Sequence, residues 1–380
     1  MLLYFSVLLF AALVWRMVWV LKWKWYWKVP LIVFAGMGAF KFQIFRIIGG
    51  HYFSPDLPNL VIVTGAWLYG AFYFVPPLLL VSEIVRFFKW RKEQHIWNKV
   101  NLGIAVAALV LSGVACFFGA AEPKVTHYII EHPEVPAAAC GMKAVFLTDL
   151  HIDHTTAPEK VRALVQRTNA LKGDIILLGG DLMDGKVAMC GKAVGELNNL
   201  KAPMGVFQVP GNHEFYSDFE AWKDFWAQTP CKMLINENLR LANGIVLAGS
   251  SDRMGHAFFR KDPAKAKAYR EDFAKTLRGV RKEDFVLLLS HRPKAARKSS
   301  KLGADLQLSG HTHGGMIRGF DLLVGLYNGG WVSGRYQVGP TTLLVSNGTW
   351  LWRGFSLRLG RPGEILIVTL KKSELHNHVN

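Results

Sequence analysis

Carboxylate, imidazole and amide side chains recur in short clusters along the last two thirds of the chain. The five clusters are Asp149-Leu150-His151, Gly179-Gly180-Asp181-Leu182-Met183-Asp184, Gly211-Asn212-His213-Glu214, Ser290-His291 and Gly310-His311-Thr312-His313. Imidazole nitrogens together with carboxylate or amide oxygens are typical ligands of divalent transition metals. We therefore expect a metal site assembled from these clusters, in which bound ions do chemistry that the side chains alone cannot do.

Each cluster, taken alone, has an ordinary alternative. Asp149 and His151 are two residues apart, so in an extended chain they project to the same side and can hold one ion, but such pairs also occur in turns. The glycines before Asp181 let backbone approach an ion closely, although a glycine-rich turn has the same pattern. His311-Thr312-His313 is the most specific cluster, since two imidazoles between glycines suit two adjacent ions better than a packed core.

Short apolar or β-branched runs precede all five clusters. The predicted strands are Ala144 to Thr148, Asp174 to Leu178, Val206 to Val209, Phe285 to Leu289 and Asp305 to Leu308. Amphipathic stretches lie between these runs, which is typical of an α/β domain. Ligands gathered from the ends of several strands are the usual way in which such a domain builds a site.

The order of the clusters along the chain, DxH, GDxxD, GNH, H and GHxH, resembles the calcineurin-like metallophosphoesterase family, and most closely its bacterial membrane-associated branch. The resemblance covers roughly residues 143–370. It implies a two-sheet β-sandwich flanked by helices, whereas the periodicity alone predicts only an α/β domain. It also implies hydrolysis of a phosphoester bond by a hydroxide that bridges two metal ions.

The resemblance further implies a role for each polar residue. One ion would be held by Asp149, His151 and His313 and the second by Asn212, His291 and His311, with Asp181 bridging them. Two divalent or mixed-valence ions of Mn, Fe, Zn, Ni or Co suit these oxygen and nitrogen ligands better than Ca does. His213 would protonate the leaving oxygen or stabilise its charge, and Asp184 would orient His213. A helix cap is the alternative role for Asp184.

The segment from Tyr327 to Gly360 is rich in Gly, Trp and Arg. By resemblance, Arg358 corresponds to an Arg that precedes a Pro-containing turn, and it would contact a substrate phosphate; a surface ion pair is the alternative. Trp350 and Trp352 depart from the more Gly-rich pattern of the related proteins. They would lie in the headgroup layer or line a groove for an acyl chain, or else pack in the core beneath the last strand.

The first third of the chain is apolar enough to enter a membrane. Four stretches are each close to the roughly 20 residues that cross a bilayer as a helix. They run from about Leu2 to Leu21, Val29 to Gly49, Leu60 to Val85 and Leu102 to Ala121. We therefore expect a transmembrane anchor with four helices in residues 1–122, a linker with a first strand in 123–142, and a metallophosphoesterase domain in 143–380.

Basic residues predict the orientation of this anchor. Between the first two stretches, residues 22–28 alternate Lys with Trp or Tyr. The loop after the third stretch carries Arg86, Lys89, Arg91, Lys92 and Lys99. The positive-inside rule places both loops in the cytoplasm and the catalytic domain outside, on an integral protein of a bacterial inner membrane. Lys41 and Arg46, near the opposite loop, weaken this orientation.

The net charge of +17 suits anionic lipids, phosphorylated substrates or nucleic acid, because charge alone attracts all three. We expect the bilayer and a phosphorylated substrate as partners, and no nucleic acid; the sequence does not predict the oligomeric state. The four cysteines are widely spaced without a CxxC pair, which argues against a disulfide framework or a zinc ribbon.

Several functions are compatible with these features. We expect a dinuclear metallophosphoesterase that hydrolyses a phosphodiester or pyrophosphate in a lipid-linked substrate, and a phosphomonoesterase would use the same centre. A non-catalytic membrane sensor or scaffold with a metal-binding domain is the alternative, but such a protein would be expected to lack a ligand or His213. A transporter has little support, since the apolar stretches contain few ionisable residues.

Overall fold

The computed structural model describes residues 2–50, 54–89 and 94–373. Contacts within the chain divide it into two compact units. The first unit comprises Met1–Ala120 and Trp352–Leu359, and the second comprises Ala121–Leu351 and Gly360–Asn380. Arg91 and Lys92, which contribute to the second predicted basic loop, lie outside the described residues.

The first unit is helical. Helix α1 (Leu2–Leu13) continues through a π-helical segment, Val14–Trp19, and is followed by α2 (Trp25–Ala39), α3 (Lys41–Gly49), α4 (Asn59–Lys89) and α5 (Gln94–Gly119). Apolar runs of this length favour helices in lipid because a helix satisfies its backbone hydrogen bonds internally. An ion pair between Arg16 and Glu83 links the π-helical segment to α4.

The structure corrects the prediction of four membrane-spanning helices to two or three. Within the described residues, Asn59–Phe88 (30 residues) and Ile96–Gly119 (24 residues) are long and apolar enough to cross a membrane. A third crossing exists only if α2 and α3 form one span, and the chain bends by 77° between them. The first apolar helix, Ser6–Trp19, is shorter than a span, because the Lys-rich and Trp-rich sequence that follows ends the apolar run.

Residues 352–359 pack with the helices, whereas the sequence analysis assigned them to the phosphoesterase domain. The ring of Trp352 stacks on Phe42 with the ring centroids 5.9 Å apart. The Lys41 ammonium donates a hydrogen bond to the carbonyl of Gly354. The segment is rich in Trp, Phe and Leu, so burial among the helices removes its apolar surface from water.

The second unit contains two six-stranded mixed sheets flanked by helices, as the family resemblance implies. The first sheet has the order β1 (Lys124–His132), β12 (Glu364–Lys372), β2 (Lys143–Leu147), β3 (Ile175–Leu178), β4 (Val206–Gln208) and β5 (Cys231–Met233). The second has the order β10 (Gly334–Val338), β11 (Thr341–Val345), β9 (Leu306–Ser309), β8 (Val286–Leu289), β7 (Val246–Gly249) and β6 (Glu237–Arg240). Strands β2 to β5 are parallel to one another, as are β7, β8, β9 and β11.

Helices connect these strands and cover the outer faces of the sheets. They are α6 (Pro158–Ala170), α7 (Val187–Gly195), α8 (Asn212–Tyr216), α9 (Phe219–Ala227), α10 (Met254–Phe258), α11 (Pro263–Ala268), α12 (Phe273–Thr276), α13 (Ala296–Ser299) and α14 (Asp321–Asn328). The alternation of strand and helix along the chain is what the sequence pattern predicted.

Apolar side chains on both faces of the central strands form the core. In β2, Ala144 and Phe146 belong to the layer between the sheets, and Val145 and Leu147 belong to the layer beneath α6, α7 and α9. Strands buried on both faces are continuous apolar runs rather than alternating ones, as β3, β8 and β9 are. This packing fixes the carboxyl ends of the parallel strands, where the polar clusters begin.

Candidate metal centre

The five strands predicted to precede the polar clusters are present as β2, β3, β4, β8 and β9, each within one residue of its predicted bounds. The loops after β2 and β3 are joined to each other along their backbones. The N–H of Asp149 donates to the Gly180 carbonyl and the N–H of His151 to the Asp181 carbonyl, both at 3.0 Å. The strand ends therefore bring the first two clusters side by side.

Five of the predicted ligand residues have left-handed backbone conformations. They are Asp149 (φ 57°), His151 (φ 46°), Asp181 (φ 52°), His311 (φ 71°) and His313 (φ 49°). Such a conformation costs a non-glycine residue roughly 1–3 kcal/mol, and it persists where the surrounding structure imposes it. Strain of this kind is concentrated at functional sites. The backbone conformation therefore identifies these loops as a candidate site without reference to their side chains.

Two glycines of the motifs are required by close approaches between loops. A side chain at Gly310 would collide with the carboxylate of Asp149 and the hydroxyl of Thr148. At Gly180, φ is 90° and a Cβ would lie 2.5 Å from the backbone nitrogen of Gly211. Close approach of an ion is the role predicted for the glycines before Asp181; in the structure Gly179 and Gly180 also lie against Phe146 and Gly211.

Asp149, His151 and His313 form the first ligand cluster. His151 Nε2 lies 3.2 Å from His313 Nε2 and 3.9 Å from Asp149 Oδ1, and His313 Nε2 lies 3.5 Å from the same oxygen. Atoms bound about 2.0–2.2 Å from one ion at octahedral or tetrahedral angles are about 2.8–3.6 Å apart. Two of the three spacings fall within that range, so the cluster is close to the geometry of a single ion's ligands.

Asp181, His291 and His311 form the second cluster. His291 Nδ1 lies 2.8 Å from the Gly179 carbonyl, which only accepts, so this nitrogen carries a proton. His291 Nε2 is buried without a hydrogen bond and lies 3.0 Å from Asp181 Oδ2. The same carboxylate oxygen is 4.0 Å from His151 Nε2 of the first cluster. Asp181 therefore lies between the two clusters, where a bridging ligand belongs.

Asn212, the seventh predicted ligand, is buried and contacts an arginine. Its Oδ1 accepts a hydrogen bond from Arg292 Nη2 at 2.8 Å, and Arg292 Nη1 lies 2.7 Å from His311 Nε2. Arg292 Nε donates to Asp252 Oδ2 at 2.6 Å. Burial and the charge of Arg292 hold the pKa of His311 well below its usual value, so the neutral ring accepts. A guanidinium thus contacts two residues that the resemblance assigns to the second ion.

Asp184 contacts two imidazoles. Its Oδ1 lies 2.5 Å from His213 Nδ1, and its Oδ2 lies 3.1 Å from His151 Nδ1. Asp184 is therefore placed to orient His213, as the resemblance implies, and also to turn His151 so that Nε2 faces the first cluster. The alternative role as a helix cap is not observed, since Lys186 occupies the cap position of α7.

The buried charges around Asp184 stabilise one another. Burial disfavours the carboxylate, yet the neighbouring His213 and His151 hold the pKa of Asp184 below its usual range. Burial also disfavours the charged form of His213, but the carboxylates of Asp184 and Asp181 outweigh it and raise the pKa of His213 to about 9. The raised pKa favours the protonated ring, which is the form that gives a proton to a leaving oxygen.

Glu214, to which the sequence analysis gave no role, joins two of the loops. Its buried carboxylate accepts hydrogen bonds from the N–H groups of Asp181 at 3.0 Å, Leu182 at 2.6 Å and Gly211 at 2.7 Å. These donors replace the water that the carboxylate loses on burial. Its position three residues after Gly211 is the capping-box spacing, and this was the available sequence signal.

The residues present fit a pair of metal ions. The Asp181 and Asp149 carboxylates outweigh the effect of burial and raise the pKa of His291 to about 10, which shows how negative the potential is at this point. A divalent cation requires such a potential, and His291 Nε2 faces the Asp181 carboxylate that lies between the two clusters, at 3.0 Å from Oδ2. The oxygen and nitrogen donors suit Mn, Fe, Zn, Ni and Co alike, so they do not identify the metal.

Trp350 and Arg358, two of the remaining predicted residues, belong to different units of the chain. The backbone N–H of Trp350 donates to the Asp149 carbonyl at 3.2 Å. Trp350 is 8% exposed and packs in the core, with the Lys160 ammonium 4.3 Å from its ring centroid. Arg358 belongs to the helical unit, where it is 2% exposed and its N–H donates to the Ala115 carbonyl at 2.9 Å. This burial rules out a surface ion pair, and the predicted phosphate contact by Arg358 gains no support from the position.

Known proteins share both the motifs and the helical region. Residues 142–315 match the calcineurin-like phosphoesterase family. An uncharacterized metallophosphoesterase of Helicobacter pylori (strain ATCC 700392 / 26695) is 33% identical over 281 residues, 73% of this chain and 72% of that protein. A Bos taurus protein named "Transmembrane protein with metallophosphoesterase domain" is 29% identical over 370 residues, 91% of this chain and 80% of that protein. The chain belongs to the calcineurin-like metallophosphoesterase family.

The family and the helices together define the class of protein. The family supports a hydrolase that acts on phosphoesters and depends on metal ions, and the clustered His and Asp side chains supply the donors for them. The Bos taurus match covers so much of the chain that it extends beyond the phosphoesterase domain into the helical unit. Membrane association is therefore indicated both by that relative and by the apolar helices.

Proposed function

We propose that this chain is a membrane-anchored hydrolase that uses two metal ions to cleave a phosphodiester or pyrophosphate bond in a lipid-linked substrate. The observation that carries the proposal is the meeting of two ligand clusters at Asp181, with His213 and its bond to Asp184 beside them. The N–H of His213 donates to Asp181 Oδ1 at 2.8 Å, which fixes this neighbourhood. Two bound ions would activate a water molecule and neutralise charge that develops on the phosphoryl oxygens.

The protein's own residues would divide the remaining work. The first ion is assigned to Asp149, His151 and His313, and the second to Asn212, His291 and His311, with Asp181 shared. His213 gives the proton on Nε2 to the leaving oxygen while Nδ1 stays bonded to Asp184. Asp184 thus positions an ion ligand and the proton donor from one carboxylate, so the distance between them is fixed.

Arg292 is the natural contact for a phosphoryl oxygen. Asn212 and His311 are both assigned to the second ion, so a cation bound there would compete with the guanidinium for these two residues and would repel it by like charge. The bond to Asp252 keeps the side chain at the edge of the site. A planar guanidinium forms paired hydrogen bonds with phosphate oxygens, so the released side chain is suited to bind substrate.

The membrane anchor supports a lipid-linked substrate. A catalytic domain tethered to the bilayer meets substrates in that bilayer at a high effective concentration. A phosphomonoesterase would use the same ligands and the same His213, so the metal centre by itself does not separate the two reactions. We favour the diester or pyrophosphate because a phosphate that links a lipid to a headgroup is joined to a group on each side.

The proposed orientation of the protein in the membrane is based on helices α4 and α5. The connection between them and its flanks contain Arg86, Lys89, Arg91, Lys92 and Lys99. By the positive-inside rule this connection is cytoplasmic, and the phosphoesterase domain after α5 is then extracytoplasmic whatever the number of spans before α4. We place the protein in a bacterial inner membrane on this basis. A reporter fused after Asn380 that is active only in the cytoplasm would overturn the orientation.

A non-catalytic sensor or scaffold is the second candidate function. It is favoured by the contact of Arg292 with Asn212 and His311, which hinders one ion. It is opposed by His213 and its bond to Asp184, since a domain that only binds metal does not need a buried proton donor beside the ligands. The catalytic proposal therefore accounts for more of the buried polar residues.

The test uses the full chain in detergent, loaded separately with Mn, Zn or Mg. Hydrolysis of a bis-aryl phosphodiester is compared with hydrolysis of an aryl phosphomonoester under the same conditions. Metal-dependent cleavage of the diester in preference to the monoester is the expected result. Preference for the monoester would replace the proposed reaction with that of a phosphomonoesterase. A folded, metal-loaded chain that cleaves neither compound would support the scaffold.

A further inference from the structure

Helix α14 presents a row of large apolar side chains to solvent. Leu322, Leu323, Leu326 and Tyr327 are 76%, 59%, 77% and 72% exposed. Their spacing along the helix places all four on one face, while Gly325 on the other side is buried. Single exposed apolar residues are ordinary, but a contiguous group of this size marks a surface that is covered in use.

Arginines and a tryptophan surround this apolar face. Arg361 forms an ion pair with Asp321, the first residue of α14, and so neutralises the only acidic residue of the helix. Arg318 is exposed three residues before the helix. Beyond its other end, the guanidinium carbon of Arg297 lies 5.4 Å from the ring centroid of Trp331. An apolar face with cationic and aromatic flanks is the pattern of helices that lie in a lipid headgroup layer.

The neighbours of α14 within the second unit connect it to the metal centre and to the anchor. A side chain at Gly315 would collide with Asp321, so the start of α14 is held against the turn that contains His313. Ile317, four residues before α14, pairs with Gly360 in an antiparallel bridge. Gly360 directly follows residues 352–359, which pack with the membrane helices. The chain thus leaves the membrane unit one residue before the strand bridge that supports α14.

We infer that α14 docks on the bilayer, with Leu322, Leu323 and Leu326 in the boundary between headgroups and acyl chains and the exposed Arg318 and Arg297 against anionic lipid phosphates. Resting on the proposed function, the inference also specifies the substrate class: an amphiphile whose scissile phosphate lies at headgroup depth. The reason is proximity, because α14 begins eight residues after His313 and packs against its turn.

A second copy of the chain is the competing occupant of this face. Stable protein interfaces bury roughly 800 Å² on each partner, drawn from some 20–30 residues. Four side chains on one eight-residue helix supply much less than that. A bilayer needs no such area from α14, since the chain carries its own membrane helices and α14 adds only a second point of contact. The area and the arginines therefore favour lipid.

The experiment measures immersion of α14 in the full chain, reconstituted in vesicles of phosphatidylcholine and phosphatidylglycerol. Exposed Cys140 is replaced by Ser and Cys116 by Ala, and a nitroxide label is attached through Leu326→Cys. The control label is attached through Leu302→Cys, because Leu302 is an exposed leucine of the same unit outside α14. Collision rates of each label with oxygen, which enters lipid, and with a water-soluble nickel complex are then compared.

We expect the Leu326→Cys label to be reached by oxygen and protected from nickel, and the Leu302→Cys label to be reached by nickel. Protection of the first label should weaken in phosphatidylcholine alone, because the arginines lose their anionic partners. Equal nickel access for the two labels would overturn the docking. Protection from both reagents together with spin–spin broadening would show a second copy instead of lipid, and would overturn it as well.

A separate assay tests the substrate class with the unmodified chain. A phosphodiester lipid in vesicles is compared with a short-chain, water-soluble analogue that has the same headgroup. We expect kcat/KM to be at least about tenfold higher for the vesicle lipid, from its high effective concentration at the site. Equal values would overturn the substrate class. Cleavage of neither compound would count against the proposed function, while the label measurements would still decide the docking.

Discussion

The candidate metal centre has two halves, which are stabilised by different groups. In the half formed by the loops after β2, β3 and β4, the stabilising groups are side-chain carboxylates. The Asp184 carboxylate contacts both His151 and His213. The Glu214 carboxylate accepts three backbone N–H groups from neighbouring loops. The imidazole of His151 is therefore oriented before any ion binds, so the part of the first ligand cluster on these loops is preformed, and His313 completes the cluster from the loop after β9.

The half formed by the loops after β8 and β9 is held by a neutral carbonyl and by a cation. The Gly179 carbonyl orients His291. The Arg292 guanidinium contacts His311 and also Asn212, the ligand contributed by the loop after β4. An ion at this half must displace a positive group from its ligands, whereas an ion at the first half meets only carboxylates and imidazoles.

Equivalent motifs therefore do not make equivalent sites. Both halves have the ligand types that transition metals prefer, yet only one of them is free of a competing charge. We therefore expect the ion at Asp149, His151 and His313 to bind more tightly than the ion at the second cluster. Four substitutions break or sharpen this comparison.

The largest effect is expected for Asp181→Asn, because Asp181 lies between the halves. Loss of its charge should reduce the bound metal from two ions to one at most. Turnover should fall by more than about 10³-fold, since a metal ion contributes several kcal/mol of charge stabilisation. Elemental analysis of the purified chain and phosphodiester hydrolysis measure the two effects. Asp262→Asn, at the exposed cap of α11, is the matched control; two ions retained in Asp181→Asn would remove the bridging role.

His213→Ala should lower kcat by about 10²–10⁴-fold and leave the metal content unchanged, because His213 moves a proton and holds no ion. The loss should be smaller for a nitrophenyl ester than for an alkyl ester, since a leaving group of low pKa needs little protonation. Metal content and kcat for the two esters are measured on one preparation. Loss of metal equal to that of Asp181→Asn would assign His213 to the ligands instead.

Most of the candidate site was predictable because it is local. Asp149, Asp181, Asn212, His291 and His311 each follow a short apolar run, and such runs became strands within one residue of the predicted bounds. Strand ends in parallel sheets meet at one edge, so residues far apart in sequence needed no further information to be placed together. Their roles as metal ligands remain predictions that the substitutions test.

Long-range packing could not be predicted in the same way. Glu214 and Arg292 adjoin motif residues, but their partners come from other loops and only the fold identifies them. The helix count failed because average hydropathy does not locate the bend between α2 and α3. The phosphate contact was assigned to Arg358 because it lies shortly before a Pro. The apolar residues around it place the whole segment in the helical unit.

Glu214→Gln should weaken metal binding by about 10–100-fold, as loss of a group that supports the ligands does. In the variant, an amide NH2 group would face a backbone N–H group that donates to a carboxylate oxygen in the native protein. Two donors cannot bond to each other, so the loops that carry Asp181 and Gly211 would separate. Competition with a fluorescent chelator measures the affinity at each site. Glu196→Gln, which changes a surface ion pair with Arg162, is the control. Unchanged affinity would limit Glu214 to folding.

The smallest effect is expected for Arg292→Ala, and its sign is the opposite of the others. The second ion should bind about tenfold more tightly. In the variant, binding of this ion no longer requires the loss of a charge-assisted hydrogen bond worth about 1.5 kcal/mol. The first ion should bind as before. Isothermal titration with Zn or Mn resolves the two steps, and Arg270→Ala, at an exposed arginine, is the control.

The same variant distinguishes between two roles for Arg292, both of which are compatible with its contacts. If the guanidinium moves to the substrate when the second ion binds, inhibition by inorganic phosphate should weaken in Arg292→Ala while the second ion tightens. A side chain that merely supports Asn212 and His311 would give a weaker second ion and unchanged phosphate inhibition. That result would make the second half preformed like the first, and the two halves would then differ only in the sign of the charge that supports them.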